Sequence, residues 1–329
     1  MSTGDPVGLV HEADEQAVVI QDGGGEQRIK ARSPMQLFWR RLRRDKVAMA
    51  ALVFIVLLIA MAFLAPAIVA LAGTPDPKQQ SFQALDVFGT PTGPSADHPF
   101  GVDKLGRDVF SRTVYGSRVS LEVAVIATGI AVLIGVAIGL VAGFYRGWVD
   151  TVLSRLTDVV LAFPILLLGL GLAAACSGVD GCFGGLIQPG LPVVIMTIAV
   201  INWTYIARIV RGQVLSLREK EFVEAARSLG ASDGRIITRE ILPNLFAPLI
   251  VYSSLLIPAN ILLEAALSFL GVGVAGGTPS WGAMIAEATT LFPDAWWFML
   301  FPGLALLLTV LAFNLVGDGL QDALDPRRK

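Results

Sequence analysis

The sequence predicts an all-α polytopic membrane protein with six transmembrane helices, and three observations carry that prediction. Of 329 residues, 54% are hydrophobic and 16% charged, and the mean hydropathy is +0.67; a soluble domain carries about 25% charged residues. Uncharged runs long enough to cross the hydrocarbon core, which takes about 20 residues of helix, recur along the chain. They are Val47–Pro75, Val123–Tyr145, Val159–Val179, Gly181–Ala207, Ile241–Leu263 and Ala295–Gly317. Finally, Lys and Arg sort to one side. With the N-terminus inside and six helices threaded, twenty basic residues fall on the inner side and five outside, so both termini are expected in the cytoplasm.

Each element follows in order. Residues 1–33 are read as a disordered tail, because residues 1–27 hold six acids and no Lys or Arg. The stretch RIKARSPMQLFWRRLRRDK over residues 28–46 then turns basic. It serves as the positive flank of the first span or as an amphipathic segment along an anionic leaflet. No cleavable leader is visible before residue 46.

The first span covers about Val47–Leu71, and with the flank and the outer segment it makes a unit over residues 34–118. Val109, Phe110, Thr113, Val114 and Ser117 recur at helical spacing, which predicts an interfacial helix before the second span, about Val119–Gly143. Gly135 and Gly139 within that span allow another backbone to approach closely. Pro164 predicts a kink in the third span, about Thr151–Ala175. Fourth, fifth and sixth spans follow at about Leu191–Val210, Leu245–Phe269 and Trp296–Val316. Residues 119–317 thus form the core of five spans, and residues 318–329 a cytoplasmic tail.

Between the fourth and fifth spans lies a polar loop over residues 217–243. Phe222, Ala225, Ala226 and Leu229 recur at i, i+3, i+4 and i+7, one face of a helix. Gly230 suits the left-handed residue that ends a helix. Ser232 or Asp233 can cap a second helix carrying Ile236, Ile237 and Ile241, and Pro243 limits its entry into the fifth span. Small side chains on one face fit a groove in another protein. They fit equally a helix packed beneath the chain's own bundle.

Glu224-Ala225-Ala226, Gly230 and Leu242-Pro243 resemble the EAA motif of permease subunits of ATP-binding-cassette importers. The chain departs from that pattern at Glu240, with Ile241 one step late, as in the peptide-permease branch. SPMQLFWRRLRRDKVAMAALV, HPFGVDKLGRDVFSRTVYGSRVSL and LLEAALSFLGVGVAGGTPSWGAMI are similar to further segments of the oligopeptide/dipeptide permease C-type subunit. Together the matches cover nearly residues 33–325.

The resemblance implies a type I importer permease fold in a prokaryotic inner membrane. It implies a homologous second permease subunit, two ATP-binding subunits or domains that hold ATP and Mg, and an extracellular substrate-binding protein. Phe222, Glu224, Ala225, Ala226, Leu229, Gly230 and Pro243 would then form the element coupled to the ATPase. Short peptides are the expected cargo, with nickel, glutathione or an oligosaccharide as alternatives.

The sequence agrees by what it lacks. It holds no G-x-x-x-x-G-K-[ST] and not even a Gly-Lys pair, so no phosphate loop of that kind cradles ATP here. No cluster of His, Cys or paired acids suggests an enzyme, and His11 and His98 suggest no metal. A net charge of −2 points to no nucleic-acid partner. Few intramembrane charges and no internal repeat argue against a secondary transporter.

Four residues are candidates for the translocation path or its gate. Asn202, Trp203 and Tyr205 lie in the inner half of the fourth span, where interhelical packing explains them equally. Glu264, an acid within an apolar stretch, either lines the passage or holds the Gly-rich outer segment. Asp103, Arg107, Asp108 and Arg112 either orient the binding protein or, as favoured here, pair among themselves; Cys176 and Cys182 either form a small disulfide, the favoured reading, or stand as two lone thiols at a helix end.

Overall fold

A computed structural model describes residues 34–324 except 177, 179–180, 183 and 274–276. The acidic head and the last five residues, 325–329, lie outside the described residues. Regular structure among the described residues is helical, apart from isolated bridges such as Val102↔Asp108.

Helix α1 spans Pro34–Arg44 and stands apart from α2, Lys46–Phe63. Asp45 separates them: its Oδ1 accepts hydrogen bonds from the Val47 and Ala48 amides at 2.9 and 3.0 Å, satisfying two orphan donors of α2. The described part of the basic segment, from Pro34, is therefore a helix of its own, with Phe38 and Leu42 packed on Ala48, Leu320 and Ala323. The first span then breaks at Leu64, where Pro66 begins the short α3, Ala65–Leu71.

The predicted interfacial helix and second span are one element. Helix α4 runs unbroken over Val109–Tyr145, 37 residues, or about 55 Å at 1.5 Å per residue. That exceeds a hydrocarbon core of about 30 Å, so one end projects outside it. Asp108 caps the helix, accepting from the Ser111 amide at 2.7 Å.

The third span differs most from expectation. Helices α5, Gly147–Ala162, and α6, Ile165–Ala175, meet at 90° rather than as one kinked rod. Pro164 lacks an amide hydrogen and forces Phe163 into extended backbone, so the ladder stops there. The spans are thus five long helices plus this bent pair.

Helix α7, Leu191–Leu217, packs along α4 through a glycine stripe. A Cβ on Gly135 would lie 2.6 Å from the Ile206 Cβ, and one on Gly139 would lie 2.7 Å from the Ala207 carbonyl oxygen. Only hydrogen fits at either position, which is what a small-xxx-small stripe provides between backbones.

Below the bundle come α8, Glu221–Ser228, and a helical turn α9, Asp233–Arg235. A π-helical turn over Ile236–Ile241 then leads without a break into α10, Leu242–Phe269. Above the bundle lies α11, Trp281–Ala288. Helix α12, Trp297–Leu324, continues past Val316, so most of the expected C-terminal tail is helical.

Candidate functional site

Helix α8 is held to the bundle mainly by Val223, with Ala226 beside it, and leaves Phe222, Ala225 and Leu229 outside. Val223 is fully buried and joins Phe144, Val214, Ile236, Ile241 and Leu245 in one cluster. Ala226, one turn on, is partly buried against the same cluster. Phe222, Ala225 and Leu229 point away and are exposed, Leu229 by 88%. The sequence face was thus rotated: Ala226 belongs with Val223 on the inward side. Glu224 is also exposed.

The end of α8 is a Schellman turn. The Ala231 amide donates to the Ala226 carbonyl and the Gly230 amide to the Arg227 carbonyl, both at 3.0 Å. Gly230 sits at φ +79°, where a side chain is strained although nothing lies within 4 Å of its Cβ position. The turn delivers Ser232 to the N-cap of α9, where its side chain makes no cap hydrogen bond.

The π turn carries Ile241 inward. In an α-helix, residues five apart are about 140° out of line on the helix wheel, yet Ile236 and Ile241 are both fully buried in the cluster around Val223. The wider turn brings both inward and ends where Pro243 removes a donor from the ladder. The turn between α7 and α8 is tied to that between α4 and α5. Arg146 donates to Glu219 at 2.6 Å, Arg218 donates to the Phe144 carbonyl, and Arg211 bonds Asp150 at 2.5 and 2.8 Å. A push on α8 therefore meets a braced seat.

Three of the four path candidates lie in the chain's own packing. Asn202 donates to the Ile198 carbonyl at 3.0 Å and to Asn260 Oδ1 at 2.9 Å, and Asn260 donates to Thr128 Oγ1 at 2.8 Å. This polar chain joins α7, α10 and α4. Trp203 is buried beside Ala131 and Ala207. Glu264 is fully buried and accepts from Ser120 at 3.1 Å and Ser268 at 2.8 Å. Tyr205 is exposed.

At the end of α4 remote from α8, Asp103 is the hub of a buried ion network. It accepts from Arg107 Nε at 2.6 Å and from Arg112, and its other oxygen accepts the Leu105 and Arg107 amides at 2.8 and 3.0 Å. Glu287 on α11 completes the set, receiving Arg107 at 2.7 Å and Arg112 at 3.1 and 3.2 Å. Asp108 pairs instead with His98 at 2.9 Å. Glu287 was missed in the sequence because its partners are more than 170 residues away and no local spacing marks them. Two buried indoles fasten the same region: Trp281 donates to the Thr113 carbonyl at 3.0 Å and Trp297 to the Val102 carbonyl at 3.2 Å. Cys176 and Cys182 are bridged at the end of α6, their Cα atoms 4.8 Å apart.

Long apolar helices around a glycine-zipped pair, with a braced helix exposed at one end, define a multi-pass membrane protein. Comparison with known proteins gives the class its family. A family model described as "binding-protein-dependent transport system inner membrane component" matches residues 135–329, and "N-terminal TM domain of oligopeptide transport permease C" matches residues 33–88. The dipeptide transport system permease protein of Alkalihalophilus pseudofirmus is 39% identical over 92% of this chain and 93% of its own. The glutathione transport system permease protein of Escherichia coli is 42% identical over 91% and 93%. The inward-facing MetNI methionine ABC transporter shares the fold, with a TM-score of 0.55 and 18% identity over 66% of this chain and 97% of that one. The chain belongs to the binding-protein-dependent inner-membrane permease family, has the type I importer permease fold, and works with other subunits of an ATP-binding-cassette importer.

Proposed function

We propose that this chain is the membrane-spanning subunit of an ATP-driven importer of short peptides. The observation that carries the reading is the exposed apolar face of Phe222, Ala225 and Leu229 on a helix whose opposite side is locked into the bundle by Val223. A solvated helix end exposes such residues at a cost unless a partner covers them. In this reading the cover is a groove on an ATP-binding subunit or domain, one of two in the complex, which holds the ATP and Mg. A homologous second permease encloses the path with this chain, and an extracellular binding protein delivers cargo.

Both termini are assigned to the cytoplasm from the sorting of Lys and Arg. That puts α8 on the side where ATP is available. Peptide cargo is favoured because the relatives are named for dipeptides and for glutathione, itself a short peptide.

The reading is tested by reconstituting the chain with its partner subunits in vesicles with the binding protein present. Uptake of a labelled dipeptide is expected to require ATP and to survive collapse of ion gradients by ionophores. Uptake driven by an ion gradient without ATP would overturn it. Accumulation of glutathione alone would move the cargo to the narrower alternative.

A further inference from the structure

A second candidate site, which shares no residue with α8, lies between α2 and α12. The helices run antiparallel here: a Cβ on Gly319 would lie 2.4 Å from the Ala48 Cβ, so the end of α12 meets the start of α2. Between them runs an open groove of about 400 Å³, with Ala50, Ala51 and Ala312 among its lining residues and Phe54, Leu308 and Leu315 rising at its sides. Ala51 and Ala312 are buried at its floor, whereas Val47 and Leu311 on its rim are exposed.

The groove has one polar end. Lys46 lines it, is exposed, and forms no ion pair with a carboxylate among the described residues. Arg43 and Arg44, three and two residues earlier, are also exposed. Three acids lie at this end of α2 and α12, of which Asp322 is engaged elsewhere. Asp45 is occupied in capping α2 through the Val47 and Ala48 amides, and Asp318 is exposed on α12 without pairing to Lys46. From Lys46 to Phe54 the groove extends about 12 Å at 1.5 Å per residue, close to the roughly 15 Å depth of one leaflet's hydrocarbon.

We propose that this groove is a binding site for an anionic phospholipid of the leaflet at the N-terminus. One acyl chain lies over Ala50, Ala51 and Ala312, and the phosphate meets Lys46, Arg43 and Arg44. Charge complementarity selects the occupant. An anionic lipid carries its phosphate at the headgroup end of its acyl chains, where these basic residues stand. The wall is apolar for the depth of a single leaflet and basic at the headgroup level. The proposal requires only the membrane-spanning fold and is independent of the cargo.

The test uses the complete complex in vesicles of equimolar phosphatidylglycerol and phosphatidylcholine with identical acyl chains. After extraction, retained lipids are counted by native mass spectrometry. Phosphatidylglycerol is expected to be retained in preference. Lys46→Gln should reduce that preference about fivefold, the contribution of one basic residue near a charged surface. Ala50→Leu, at an exposed position that fills the groove, should reduce retention of both lipids. Equal retention of the two by the unaltered complex, or full retention after Ala50→Leu, would overturn the proposal. So would crosslinking of an Ala50→Cys variant to the second permease, because a protein would then occupy the groove.

Discussion

Replacing Leu229 with Asp is expected to lower ATP-driven uptake by at least about thirtyfold, the factor that follows from losing a central interface contact worth about 2 kcal/mol. The expectation rests on what Leu229 does not do. It is 88% exposed and belongs to none of the buried clusters, so the isolated chain loses nothing when the side chain changes. Its stability should move by no more than about 0.5 kcal/mol. Val223→Asp is the matching control, because that residue is fully buried in the seat of α8. An uncompensated carboxylate there should unfold the seat and reduce the amount of assembled complex. The pair separates docking from folding: uptake falls in both variants, but thermal unfolding shifts only in the second. Leu229→Asp with wild-type uptake would mean that α8 meets no partner through this face.

The second large effect is on stability. Arg112→Ala should cost about 3–5 kcal/mol, the usual penalty for breaking a buried ion pair from one side. Arg112 is 2% exposed and Asp103 fully buried, and the guanidinium also stacks 5.6 Å from the Phe298 ring. Removing it leaves Asp103 with Arg107 alone and strips Glu287 of two of its hydrogen bonds. The measurement is thermal unfolding in detergent, with limited proteolysis of the segment before α4 as a local readout. Arg112→Lys should recover only part of the loss, since an ammonium cannot span both carboxylates in the planar fork that a guanidinium provides. Wild-type unfolding of Arg112→Ala would show that the network is dispensable.

Much of this architecture was legible before any coordinates, because the bilayer enforces it. Long uncharged runs located the spans, and Pro164 marked where the third would break. The 90° angle at that break was not legible, since a proline states where a helix stops and not where the next one goes. The outer helix of α4 was read as separate from its span because polarity changes along it while its backbone does not.

At the candidate site the helix, its end at Gly230 and the buried isoleucines were all visible from spacing. The rotation of the face was not. A helix between its own bundle and a partner is apolar on two sides, and periodicity alone cannot say which side is which. Val223 gave little warning, lying between the exposed Phe222 and Glu224. The one-residue delay of Ile241 was visible as a departure from the family pattern. The π turn over Ile236–Ile241 that accompanies it and carries both isoleucines inward required the backbone.

The central claim is that α8 docks in a separate ATP-binding subunit, and site-specific crosslinking tests it most directly. The two cysteines of the chain are bridged to each other, so a new cysteine is the sole free thiol. Ala225→Cys is the position of choice because Ala225 is exposed, whereas Ala226 faces the chain's own bundle. The account predicts that a short cytoplasmic thiol crosslinker joins Ala225→Cys to the ATP-binding subunit and that Ala226→Cys reacts far less. Crosslinks confined to this chain, or equal reaction at both positions, would contradict it.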